Sequence, residues 1–132
     1  MSIPVFSGIF RFSGRRNRKS YFLYLVTLLV TFLVCSALFG SYLERLKYLN
    51  EERHTQLSIL FAIIFLILLV SAGITAAQRC RDFGWTGWSA LIVALPFIGW
   101  VFALAILFIP GNVGPNRYGP DPLQPQESKD SP

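Results

Sequence analysis

Ser89-Ala90-Leu91-Ile92-Val93-Ala94-Leu95-Pro96-Phe97-Ile98-Gly99-Trp100-Val101-Phe102-Ala103-Leu104-Ala105-Ile106-Leu107-Phe108-Ile109 carries no charge, and Pro96 and Gly99 interrupt it near its middle. Its length meets the roughly 20 apolar residues that a helix needs to cross about 30 Å of hydrocarbon. Proline removes one helical hydrogen bond and clashes with the preceding turn. Two readings follow. One kinked helix crosses the bilayer, or two half-helices form a re-entrant hairpin that returns the tail to its starting side. Each half, residues 85–95 and 99–109, spans about 16 Å at helical rise, too short to cross alone. The length favours one kinked span.

Two further uncharged stretches precede it, residues 20–43 and 54–78, within which 21–39 and 57–77 are long enough to cross. The whole chain of 132 residues is 53% hydrophobic and 14% charged. Soluble domains sit near 45–50% apolar and about 25% charged, so an ordinary soluble domain, a disordered chain and a charged coiled coil are excluded. The expected fold is all-α: an integral membrane helical bundle of three transmembrane helices, the third broken or kinked at residues 96–99. Residues 1–17 form a basic segment, 18–110 the membrane domain with spans near 21–39, 57–77 and 89–109, and 111–132 a Gly/Pro-rich tail, disordered after about 123. The first span is longer than a signal-peptide core and no A-x-A-like site follows it, which makes it a signal anchor.

Charge gives the orientation. Residues 1–19 contain Arg11, Arg15, Arg16, Arg18 and Lys19 and no acid. Counting Lys and Arg alone, the N-terminus lies in the cytoplasm. Three complete spans then put the tail outside.

Local signals refine the helices. Asn17 can cap the first one, which leaves Arg18 and Lys19 in a first turn where the helix dipole disfavours cations. Anionic headgroups are the expected compensating partner. Leu43, Leu46 and Leu49 make a stripe that carries the first helix beyond the membrane, with Asn50 as a stop. Ala72 with Ala76, Gly73 with Ala77, and Gly99 with Ala103 are small-residue pairs that let another helix approach. Arg79 and Arg81 suit a helix C-terminus, and Asp82 lies three residues from Arg79, at ion-pair spacing. Gly84 can end that helix and Thr86 can cap the next. Trp85 and Trp88 fit an interfacial belt.

Reaction chemistry is poorly supplied. His54 is the one histidine, in a charged loop, and Cys35 and Cys80 lie in separate regions, so no spacing matches a zinc site and no cofactor is expected. Cys80 is expected to face the reducing cytoplasm, without a structural disulfide. Phosphate-binding and dinucleotide glycine patterns are absent. The three membrane cores hold hydroxyls but no ionisable residue of the kind a transport path uses. Five basic residues beside a span are a poor nucleic-acid footprint.

Three polar motifs stand out: Phe12-Ser13-Gly14-Arg15-Arg16-Asn17-Arg18-Lys19, Arg79-Cys80-Arg81-Asp82-Phe83-Gly84-Trp85-Thr86-Gly87-Trp88, and a tail segment from Pro110-Gly111-Asn112 through Asn116-Arg117-Tyr118-Gly119-Pro120-Asp121-Pro122. Their order and spacing over roughly residues 6–122 resemble the domain of unknown function 805 family, the YhaH-like small bacterial inner-membrane proteins. Where that family usually has an arginine pair, a hydrophobic residue and then His-Asp, this chain has Gln78, Arg79, Cys80, Arg81 and Asp82. A histidine-based role cannot operate here. The resemblance implies a bacterial inner-membrane protein and no activity.

The functional expectation is a non-enzymatic interaction or membrane-organising protein, with a subunit of an oligomeric transporter or channel as the alternative. Candidate lipid- or partner-contact residues are Arg15, Arg16, Arg18, Lys19, Arg79, Arg81, Asp82, Asn116, Arg117, Tyr118 and Asp121. The partners expected are a bilayer with anionic headgroups and a second copy or another membrane protein.

Overall fold

A computed structural model describes residue 11, residues 13–46 and residues 51–124. The chain order is α1 (Arg18–Leu46), α2 (Glu51–Asp82), a 3₁₀ segment (Gly87–Ala94) and α3 (Ile98–Phe108). Leu49 and Asn50 of the expected stripe and stop, and the tail after residue 124, lie outside the described residues.

The two long helices are antiparallel, as their cross-contacts show. Phe39 stacks on Phe61 with ring centroids 4.4 Å apart. Phe32 meets Phe65 at 5.9 Å, and the Arg16 backbone N–H donates to the Gln78 carbonyl at 3.2 Å. Both are long and apolar enough to cross a membrane, over Arg18–Arg45 and Arg53–Asp82. Only 6% and 11% of their most apolar windows are buried. Helices of such composition in a water-soluble core would be largely covered, so a hydrocarbon solvent is what stabilises these faces. Their hydroxyls bond back along their own helices, as Thr27 Oγ1 to the Leu23 carbonyl at 2.9 Å and Ser71 Oγ to that of Leu68 at 2.8 Å.

The segment after α2 does not form the single kinked helix expected of it. Gly84, at φ 86°, turns the chain out of α2. The 3₁₀ segment then runs alongside α2, burying Ala90. Thr86 precedes it without a side-chain capping bond. At Leu95 the backbone is extended, Phe97 takes a positive φ of 63°, and α3 returns along the same path. The backbone N–H of Asn112 reaches the carbonyl of Asp82 at 2.8 Å, so the tail meets the end of α2 instead of lying opposite it. Pro96 breaks the helix outright because Leu95 before it is held out of the helical region.

Gly99 makes the reversal possible. A Cβ there would overlap the Val93 carbonyl. Gly73, in contrast, has open space around its Cβ position, so the Gly73–Ala77 pair is not a close-approach point within the chain. Ala76, Ala77, Tyr21, Cys80, Ala90 and Ile106 form the core cluster. Cys80 is fully buried in it, because the hairpin covers that face of α2.

Gly99→Ala should lower stability in detergent by about 1–3 kcal/mol, the usual cost of overpacking. Gly73→Ala should raise it by up to about 1 kcal/mol, since a mid-helix glycine with room for a methyl gains helix propensity. Thermal unfolding of both variants side by side reads the difference.

Candidate functional site

The three polar motifs meet at one end of the bundle. Asn17 Oδ1 accepts the Ser20 backbone N–H at 2.8 Å, the helix cap read from the sequence. That cap turns Arg15 and Arg16 inward, where both are buried. Arg15 Nε lies 3.1 Å from Asp82 Oδ1. The other Asp82 oxygen accepts from Arg79 one turn back on α2, the ion pair expected from spacing. One carboxylate thus joins the N-terminal segment to α2.

The remaining guanidinium hydrogens go to backbone. Arg15 donates to the carbonyls of Asn112 at 2.5 Å, Gly114 at 2.6 Å and Gly119 at 3.4 Å. Arg79 Nε donates to the Ile106 carbonyl at 3.1 Å, and Arg79 also reaches that of Ile109. Arg18 Nε donates to the same Ile109 carbonyl at 3.1 Å. These are the orphan acceptors at the end of α3, the negative pole of its dipole. They answer the first-turn cation problem at Arg18 within the protein. Arg16 bonds Gln78 Oε1 and Ser20 Oγ, both at 2.8 Å, and lies over the Tyr24 ring. Among the described residues no buried side-chain nitrogen or oxygen lacks a partner. Three guanidiniums against one carboxylate are tolerable because carbonyl dipoles supply the balance.

The tail is folded into this cap. Asn116 and Gly119 exchange backbone bonds, each 3.0 Å, around Arg117 and Tyr118. Asn116 Nδ2 donates to the Arg81 carbonyl at 2.9 Å, and Arg117 to that of Gly84 at 2.9 Å. Tyr118 lies beneath the guanidiniums of both Arg81 and Arg117. Asp121 accepts the backbone N–H groups of Gly114 and Leu123, both at 2.9 Å. Those two donors hold its carboxyl below the ordinary carboxylate range.

Of the sequence candidates, then, Arg15, Arg16, Arg79, Asp82 and Asp121 are buried and bonded inside the chain; Arg81, Asn116 and Tyr118 are half-buried. Arg18, Lys19 and Arg117 are exposed. Gln78, Gly111 and Asn112 stand in the sequence motifs but not among the contact candidates. A Cβ on Gly111 would overlap the Asp82 carboxylate; the Pro110-Gly111-Asn112 turn beside an uncharged run was the available signal. Among the described residues no three His, Cys, Asp or Glu side chains gather as metal ligands.

Asp82→Asn should cost about 3–5 kcal/mol by leaving two buried guanidiniums without a counter-charge. Lys19→Gln should stay within about 0.5 kcal/mol in detergent; thermal unfolding compares them. Asp121 has a lowered folded pKa, so its contribution is complete above the unfolded value of about 4 and disappears as pH falls through the folded value. Hydrogen exchange at Gly114 and Leu123 should therefore rise relative to the helices only in strong acid.

The family model described as "Protein of unknown function (DUF805)" matches residues 9–120. "Inner membrane protein YhaH" of Escherichia coli (strain K12) is 30% identical over 125 residues, covering 93% of this chain and 97% of that protein. "Inner membrane protein YhaI" of the same strain is 28% identical over 120 residues, covering 91% and 92%. No solved structure matches. With two helices fit to span a membrane and inner-membrane relatives over nearly its whole length, this chain belongs to the DUF805 family of proteins of unknown function.

Proposed function

We propose that this chain is a non-enzymatic organiser of the bacterial inner membrane, spanning it twice, with both ends in the cytoplasm and a re-entrant hairpin dipping from that side. The observation that carries the reading is the arginine cap: Arg15, Arg79 and Asp82 use their charges to hold hairpin and tail together. Two spans also strengthen the charge argument. Nine of the twelve Lys and Arg residues then lie on the cytoplasmic side and only Arg45, Lys47 and Arg53 opposite. Arg18, Lys19 and Arg117 remain exposed around the cap and are the residues for anionic headgroups or a membrane-protein partner, including a second copy.

A reporter that matures only in the cytoplasm, fused after Pro132, should be active, and a periplasm-dependent one silent. The reverse pattern would restore three full spans. Arg18→Gln with Lys19→Gln should weaken retention of anionic phospholipid by up to about thirtyfold, from about 1 kcal/mol per basic residue. Native mass spectrometry of purified protein measures it.

The chain break at Leu95 to Phe97 favours one second reading, a subunit of an oligomeric transporter or channel, since irregular backbone at membrane depth suits a protein-lined path. Flux in reconstituted vesicles that vanishes on replacing Pro96 and Gly99 would select it.

A further inference from the structure

A cavity of about 330 Å³ lies between α1, α2 and the hairpin residues on either side of its tip. Leu28 and Phe32 line it from α1, Phe65 and Ala72 from α2, and Gly99 and Trp100 from the hairpin. We propose that it seats one acyl chain of a phospholipid from the leaflet opposite Arg15. The inference rests on the two-span reading, because the hairpin must end near the bilayer midplane.

The dimensions agree with that placement. The 3₁₀ segment of 8 residues and α3 of 11 residues each reach about 16 Å, half of a hydrocarbon layer of about 30 Å. The hairpin therefore fills the groove between α1 and α2 on one side of the midplane only. On α1, Leu28 and Phe32 lie ten and fourteen residues beyond Arg18, about 15 and 21 Å deep at helical rise, where the opposite leaflet's chains end.

The lining selects the occupant. All of its residues are apolar. Water needs two to four polar partners and would not fill it, while an empty space would forfeit dispersion contacts along every wall. A second copy's helix, about 10 Å across, is too wide for a space of this volume. A flexible chain of methylenes fits, and at this depth it is the surrounding medium. Chemistry near the headgroup plays no part, so the site takes zwitterionic and anionic lipids alike.

The full chain, reconstituted in phosphatidylcholine alone or phosphatidylglycerol alone and then extracted into mild detergent, provides the test. Native mass spectrometry should find one phospholipid retained per chain from phosphatidylcholine and at least one from phosphatidylglycerol, where Arg18 and Lys19 can hold a further headgroup. Ala72→Phe, which fills the cavity from α2, should reduce phosphatidylcholine retention at least about tenfold; Leu28→Trp, which fills it from α1, should do the same if the first variant does not fold. With Trp85 and Trp88 replaced by Phe, bromines at the chain end should quench Trp100 more strongly than bromines near the ester. No retained lipid in the wild type, equal phosphatidylcholine retention in a folded filled variant, or stronger quenching from bromines near the ester would overturn the proposal. Retention of phosphatidylglycerol only would also overturn it, and would point instead to capture at the arginine cap.

Discussion

Asp82 receives Arg15 from 67 residues upstream and Arg79 from one turn below, and the hairpin and tail are arranged around that contact. A buried carboxylate between two guanidiniums is not a large net source of stability, because desolvation offsets most of the attraction. It is strongly selective, however. Any arrangement that separates the three groups leaves a charge uncompensated in a low-dielectric setting, and the tail carbonyls that complete the arginines' donors can be reached only with residues 112–119 packed against α2.

The packing is correspondingly uneven. Buried side chains gather at the capped end, from Arg15 to Tyr24, from Ser71 to Asp82 and at Ala103 and Ile106 on α3. Toward the other end, residues such as Leu33 and Leu66 face outward, 55% and 57% exposed. Hydrocarbon accepts those surfaces without penalty. Specific contacts are needed only where the backbone leaves regular helix, and there they are dense: Arg79 and Arg18 take the last carbonyls of α3, which in a membrane could not be left bare.

Membrane class, the two long helices, the Asn17 cap and the Arg79–Asp82 pair were all readable from composition and spacing. These are local features, set by hydropathy and by neighbours within a turn. The path of residues 85–109 was readable only as a choice between a kinked span and a hairpin. Its length suited one crossing helix, and what decides against that is distant: Arg15 and Asp82 offer the tail a set of bonds that no opposite-side position provides. Gly99 and Gly111 belong to the same category, since their need for a missing Cβ appears only once Val93 and Asp82 are in place beside them. The burial of Cys80 has the same origin, since the hairpin covers its face of α2.

The acceptors for Arg15 lie 97 to 104 residues downstream of it. Arg15 and the whole of α1 are therefore synthesised well before those carbonyls exist. Before residues 112–119 are in place, the two guanidiniums beside Asp82 share its carboxylate and reach the Asp82 and Arg16 carbonyls. The cap is therefore a late contact in the order of synthesis, and the pair of long helices is complete in sequence before the groups that seal it.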